Sequence, residues 1–314
     1  MSKSQAVLFL IFNRLDTASR VFEAIREAQP SRLYIAADGP RPHKMGELEA
    51  CLAVRNLATQ VDWPCEVYTL FRNENLGCAK AVKGAIDWFF EHEDEGIILE
   101  DDCLPRPEFF LFCSAMLDRW RNNEEIMMIS GTNHLFGKVS LPYDYYFSHF
   151  SAIWGWATWK RAWQQFDISI SKEHTLKKSS YLMGYIREKR MAEWLSMMFI
   201  TSQDTWACTW FMTMIKNKKM SISPVCNLVT NIGIEGSHTN KDIGFTNMPT
   251  QHLDTSALRH PNKIIWNREI DFITFKTICD THFTLKDRLI FKIRCILEQL
   301  HLLSFIKRIK NIIK

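Results

Sequence analysis

The chain has 314 residues, of which 46% are hydrophobic and 24% charged; these are globular values that exclude wholesale disorder and allow one large domain or a main domain with an extension. A net charge of +4 is too mild to mark a nucleic-acid binder by its field alone. Nine cysteines, an odd number with no C-x-x-C pair, point to neither a zinc module nor a disulfide scaffold and fit reduced thiols in the cytoplasm.

Residues 6–12 are an uninterrupted apolar run that reads as a buried first strand, since the run is short for a signal peptide and lacks a small-residue cleavage site. A helix is expected from Asp16 or Thr17, with Val21, Phe22 and Ile25 on its apolar face and its end before Pro30. Residues 32–37 form a second strand closed by the turn Asp38-Gly39-Pro40. A helix over 47–60, a strand over 66–71 and a helix over 77–90 follow, the last with Ala81, Ala85, Ile86 and Phe89 on one face. The strand that follows contains Ile97, Ile98 and Leu99 and runs straight into Glu100-Asp101-Asp102, with Pro105 stopping it. A helix over 109–120 and a strand over 126–130 complete the regular part.

Strand and helix alternating with short joints predict an α/β fold with a right-handed, mostly parallel sheet covered on both faces. Beyond residue 131 the pattern changes. Residues 141–150 are aromatic and loop-like, and Trp154, Trp156, Trp159 and Trp163 crowd into a short space. Helices are expected over 181–199 and 206–218, a strand over 220–225, and a polar loop over 233–250. This divides the chain into residues 1–131 as a ligand- and metal-binding α/β part, 132–250 as an acceptor-side catalytic part, and 251–314 as an extension ending in a basic amphipathic helix. No stretch approaches the ~20 uncharged residues a membrane span needs.

Chemistry is expected where the strands end. In open α/β sheets ligands bind at the carboxyl ends of the strands, and right-handed crossovers bring Arg14, Asp38 and Glu100-Asp101-Asp102 to one rim. Adjacent carboxylates repel unless a cation or a basic partner neutralises them. Their hard oxygens suit Mn²⁺ or Mg²⁺, which in turn would hold a diphosphate. Asp102 is equally suited to cap a helix beginning near Pro105, and Asp38-Gly39-Pro40 is an ordinary turn sequence. Neither G-x-G-x-x-G nor G-x-x-x-x-G-K-[ST] occurs, which sets aside dinucleotide enzymes and P-loop NTPases. The helix after Asn75-Leu76-Gly77 can offer backbone N–H groups to a phosphate, with Lys80 nearby or simply solvated.

The strand ending at Asn13-Arg14, the Ala37-Asp38-Gly39 turn, Asn75-Leu76-Gly77 before a helix, and Glu100-Asp101-Asp102 followed by Pro105 and Phe109-Phe110 together resemble the GT-A glycosyltransferases. The likeness spans about residues 7–238. It is greatest to the branch of Golgi N-acetylglucosaminyltransferase I and its bacterial family-2-like relatives. It implies a Rossmann-like sheet with a helical acceptor-side extension, a nucleotide-diphosphate sugar donor with UDP-sugars favoured, and a divalent cation. It further implies that Arg14 and Asp38 contact the nucleoside, Glu100 the donor sugar, Asp101 the ribose or the metal shell, and Asp102 the metal itself. The family's metal motif is often Asp-x-Asp; here it is Glu-Asp-Asp.

A transferase of this kind needs a carboxylate to take the acceptor hydroxyl's proton. Asp167, Glu193, Asp204 and Glu235 are candidates, and Asp204 is preferred because Gln203-Asp204-Thr205-Trp206 resembles the family's Asp-x-Trp setting; the same residue is a natural N-cap. Trp154 and Trp156, on either side of Gly155, are the preferred acceptor-side residues, and Ser237 and His238 are candidates to close over the donor. From residue 285 onward, apolar residues at helical spacing and a surplus of Lys and Arg predict an amphipathic helix. It would lie on an anionic membrane surface or dock on protein. The reading is a metal-dependent, inverting glycosyltransferase. It would act on glycan or lipid-linked acceptors of surface polysaccharide or lipopolysaccharide, in the cytoplasm or at the membrane's inner face. The alternative is a non-catalytic carbohydrate- or nucleotide-binding protein of the same fold; a nucleotidyltransferase, which would want a basic phosphate loop early in the chain, ranks third.

Overall fold

In the computed structural model, residues 5–150, 152–171, 206–233 and 246–279 are described, with 289 and 293 besides. The first half follows the alternation of its sequence. Strand β1 (Val7–Ile11) is buried along its whole length, and α1 (Leu15–Ala28) turns Ala18, Val21, Phe22 and Ile25 onto the sheet. Next come β2 (Arg32–Ala37), α2 (Glu47–Ala58), β3 (Glu66–Phe71), α3 (Cys78–His92) and β4 (Glu95–Glu100). Runs buried on both faces lose the two-residue alternation, which is why β1, β2 and β4 read as continuous apolar stretches, while the edge strand β3 is largely exposed.

The second half holds β5 (Cys103–Pro105), α4 (Pro107–Trp120), β6 (Ile126–Ser130), β7 (Tyr145–Ser148) and β8 (Trp156–Trp159). The short helix α5 (Lys160–Trp163) follows, then α6 (Trp206–Lys216), β9 (Met220–Pro224), β10 (Val229–Asn231) and α7 (Arg268–Cys279). Eight strands make one sheet in the order β3-β2-β1-β4-β8-β6-β9-β7, and β5 pairs with β10 in a separate ribbon. Only β8 and β7 run against the others, so the sheet is mostly parallel and flanked by helices, as the sequence predicts. It also runs straight across residue 131, because β6, β7, β8 and β9 belong to the same sheet as β1.

Two expectations are corrected. Residues 145–148 are the edge strand β7 rather than loop; with Tyr145, Tyr146, Phe147 and Ser148 all buried, no alternation was left to see. The segment holding Trp156, preferred for the acceptor side, is the antiparallel strand β8, inserted between β4 and β6. Trp156 stacks on Trp206 with ring centres 5.4 Å apart and meets Trp210 at 6.0 Å. Trp163 sends its indole N–H to Asp87 Oδ1 on α3, 2.8 Å away. This aromatic layer fills the space between the sheet and α6. Aromatic side chains bury large areas, and their contacts outlast the absence of any other regular pattern in this stretch.

At the far edge, Asp271 on α7 accepts hydrogen bonds from Ser148 Oγ, from the His149 N–H at 2.9 Å and from Trp266 Nε1 at 2.6 Å. Those bonds fasten the chain after residue 266 to β7. No helix among the described residues is long and apolar enough to cross a membrane. Of the basic tail, Leu289 and Ile293 are helical and exposed; the remainder, like the helix expected over 181–199, lies outside the described residues.

Candidate functional site

The sheet register decides where the polar groups meet. Ile11 is level with Ala37, and Leu10 with Glu100, so the chain leaves β1, β2 and β4 at one rim. A cleft of about 690 Å³ opens there, within the range typical of small-molecule sites. Arg14 stands immediately before α1, its guanidinium paired with Asp101 on one side and with Asp102 Oδ2 at 2.9 Å on the other. Asp101 is the buried member, 3% exposed, and its second oxygen accepts the Phe12 N–H at 3.2 Å. The Asp102 side chain is 15% exposed and faces the cleft.

Burial opposes charge on Arg14, yet Asp101 and Asp102 hold its pKa above the ordinary value. Burial pushes Asp101 up to about 6 against the pull of Arg14. It pushes Glu100 up to about 8, with Asp102 and Asp101 adding to the rise. One guanidinium thus serves three carboxylates, and the acidic edge keeps an appetite for further positive charge.

Asp38 lines the cleft, but its carboxylate is occupied within the protein. It accepts the backbone N–H groups of Gly39, Leu76 and Gly77 at about 3.0 Å each, while Asn75 Nδ2 donates to the Gly39 carbonyl at 2.7 Å. Gly77 takes φ +79°, a left-handed backbone that favours glycine, and this lets the loop turn into α3. Asp38 therefore shapes the base of the loop before α3, a task beyond the nucleoside contact the resemblance implies. Lys80 is exposed on the first turn of α3 and is not a lining residue.

Arg41, Arg72, Asn231 and Gly233 are among the lining residues not singled out in the sequence. Arg41 is held by the buried Glu47, with Nε 2.9 Å from Oε2, and Asn13 Nδ2 reaches the same carboxylate at 3.0 Å. Arg72 follows β3 directly, and among the described residues no carboxylate pairs with it. Its signal was available: it occupies after the third strand the place Arg14 and Asp38 occupy after the first two. Asn231 and Gly233 come from the far end of the chain, where β10 pairs with β5 and the Ile232 N–H donates to the Asp102 carbonyl at 2.8 Å. A Cβ on Gly233 would stand 2.6 Å from Asp102 Oδ2 and 2.7 Å from the Arg14 guanidinium. Nothing local in the sequence announces such an approach.

The two preferred tryptophans part company. Trp154 lines the cleft, its ring centre 5.8 Å from that of His134. Trp156 is 1% exposed in the aromatic layer and faces no ligand space, so its acceptor-side expectation is corrected. Gly155 between them takes φ +65°, and a Cβ there would meet Val229 at 2.8 Å; protein, not ligand, fills the room it leaves. Asp167 accepts from Ser169 Oγ at 2.6 Å and Lys216 Nζ at 2.8 Å, away from the cleft lining. Asp204, Ser237 and His238, with Glu193 and Glu235, lie outside the described residues.

Among the described residues no three His, Cys, Asp or Glu side chains gather as a ready-made metal cage. Of the acidic edge, Asp102 is the carboxylate that faces the cleft, and its hard oxygens are of the kind that could hold Mn²⁺ or Mg²⁺ beside other oxygen ligands. Fold and site together define an α/β protein with a Rossmann-like, mostly parallel sheet and a charged cleft at its carboxyl rim.

No protein-family model matches the chain, and no curated protein does. Among solved structures, HddC from Yersinia pseudotuberculosis is similar at 14% identity and a TM-score of 0.31, over 50% of this chain and 77% of that one. The mannosyltransferase PcManGT from Pyrobaculum calidifontis, in complex with GDP-Man and Mn²⁺, is similar at 13% identity and 0.34, over 54% and 46%. Apo UDP-glucose pyrophosphorylase is similar at 9% identity and 0.38, over 70% and 89%. Likeness at this level assigns no activity.

Proposed function

We propose that the protein is a glycosyltransferase that moves a sugar from a nucleotide-diphosphate donor to a glycan or lipid-linked acceptor, in the making of surface polysaccharide or lipopolysaccharide. The observation that carries this reading is the pairing of Arg14 with Asp101 and Asp102 at the mouth of a cleft that also holds Arg41 and Arg72. A pyrophosphate needs positive charge along its length, and a sugar needs carboxylates for its hydroxyls. Both are present within one cleft.

The apolar floor offered by Leu10, Ala36 and Ala81 suits a base, and the loop that Asp38 secures closes that end. Glu100 would contact the donor sugar, Asp101 keeps Arg14 aimed, and Asp102 would hold the cation. When bound, that cation supplies Lewis-acid stabilisation of the departing diphosphate. Arg14 would stabilise the same developing charge. Trp154 offers an apolar face on the acceptor side, and Ser237 and His238 would contact the donor. Asp204 is assigned the acceptor's proton, and Asp204→Asn should lower turnover about 100- to 10,000-fold with little change in donor affinity.

The deciding experiment is a screen of UDP-, GDP-, dTDP- and CMP-sugars for binding and for hydrolysis, with Mn²⁺ and with chelator. Tight, cation-dependent binding of one class together with slow hydrolysis is the expected result. Binding without any turnover would favour the non-catalytic alternative, and no binding at all would remove both.

A further inference from the structure

β3 closes one end of the sheet, and its outer edge has no described strand neighbour. β3 pairs only with β2, and Glu66, Val67, Tyr68 and Thr69 are exposed. The ladder fixes which groups face outward. The N–H groups of Glu66 and Arg72 donate to Ser31 and Ala37 at the β2 side, so the backbone groups of Val67, Thr69 and Phe71 point away from the protein. An unpaired edge of this kind is a template for a further strand.

We propose that a second copy of this chain adds to this edge, β3 against β3 in antiparallel register about a two-fold axis through Thr69. Antiparallel pairing brings outward-facing residues opposite one another, which places Thr69 against the partner's Thr69 and Val67 against the partner's Phe71. On the other face the same register sets Glu66 against the partner's Arg72. These are the three kinds of cross-strand pair that stabilise sheets: hydroxyl with hydroxyl, β-branched with aromatic, and acid with base. Shifting the axis by one residue keeps the outward groups paired but sets Glu66 against Leu70, and shifting it the other way sets Arg72 against Tyr68. Only the Thr69-centred register pairs both charges.

The two charged side chains are on the face this needs. Glu66 accepts the Tyr68 hydroxyl at 2.8 Å, and Tyr68 stacks on Tyr34 with centres 4.7 Å apart. Arg72 lies toward α3, where a Cβ on Gly84 would come within 2.9 Å of its guanidinium. A two-fold contact is self-complementary by construction, so one matched edge suffices for a closed dimer. A single strand pair buries little surface, and the dimer belongs to the weak, concentration-dependent class.

Sedimentation velocity on the full chain over roughly 1–100 µM tests this. A shift from the 36.8 kDa chain to twice that mass is expected as concentration rises. Thr69→Pro removes an outward N–H while sparing the β2 ladder, and should leave monomer only. Glu66→Arg should raise the dimer dissociation constant about tenfold, and Glu66→Arg combined with Arg72→Glu should restore it. Should Thr69→Pro fail to fold, the charge pair decides alone. A wild-type chain monomeric throughout, or a dimer indifferent to all three variants, would overturn the proposal. Sugar transfer is not read by this experiment, so its outcome is independent of the proposed activity.

Discussion

The two halves of the sheet solve the same packing problem differently. From β3 to β4 the strands are parallel, joined by α1, α2 and α3, and each carboxyl end delivers a polar residue to the cleft: Arg14, Asp38, Arg72, Glu100. From β8 to β7 the strands are mixed in direction, and a tryptophan layer takes the place of regular crossovers. The first half brings most of the cleft's charged side chains on its loops. Among the described residues the second half lines the cleft at Trp154, Asn231, Gly233 and Thr246.

The sharpest way to break that contrast is to remove charge from the first half. Asp102→Ala should lower turnover on the order of 100- to 1,000-fold while leaving the melting temperature near that of the wild type, because Arg14 keeps Asp101 as a partner. Steady-state kinetics beside thermal melts would check both parts. In the second half the expected signs reverse. Trp156→Ala should cost about 3–5 kcal/mol in denaturant unfolding through loss of a buried ring, whereas Trp154→Ala should cost little stability and act on ligand affinity.

Acid should find the second half first. Burial holds His134 neutral, its pKa lowered to about 4. Between the ordinary histidine value and that figure the unfolded chain binds the extra proton, so stability falls as pH drops from about 6.5 toward 4. At pH 5 the loss from this residue is about 2 kcal/mol. Denaturant midpoints across this range should fall less steeply in His134→Gln, with buried His149, its pKa also lowered to about 4, keeping part of the dependence. The smallest effect is expected where the halves touch. Gly233→Ala presses a methyl group against Arg14 and Asp102, and should weaken nucleotide-sugar binding about tenfold in calorimetry, with a melting shift of a few degrees at most.

Legibility followed the same division. The strands over 32–37, 66–71 and 126–130 read from the sequence coincide with β2, β3 and β6. Apolar runs bounded by turn residues leave little freedom once strand and helix alternate. The convergence of Arg14, Asp38 and Glu100-Asp101-Asp102 was legible too, since it follows from the handedness of crossovers. Trp156 was misread because a short strand inserted between two others is buried on both faces, and local spacing does not announce that insertion. Gly155 misled for a related reason: a positive φ and a neighbouring Val229 both require glycine, and neither leaves a mark on local sequence.

By itself, the sequence determined the parallel α/β half and the carboxylates at its rim, because hydrophobic periodicity and crossover handedness are local rules that propagate. The tertiary structure alone decided the rest: which tryptophan meets the cleft, that Asp38 spends its carboxylate on the loop before α3, and that Gly233 backs the Arg14–Asp102 pair. Each of those depends on contacts between segments from 38 to 219 residues apart, and contacts over such distances are chosen by packing rather than by neighbours in the chain.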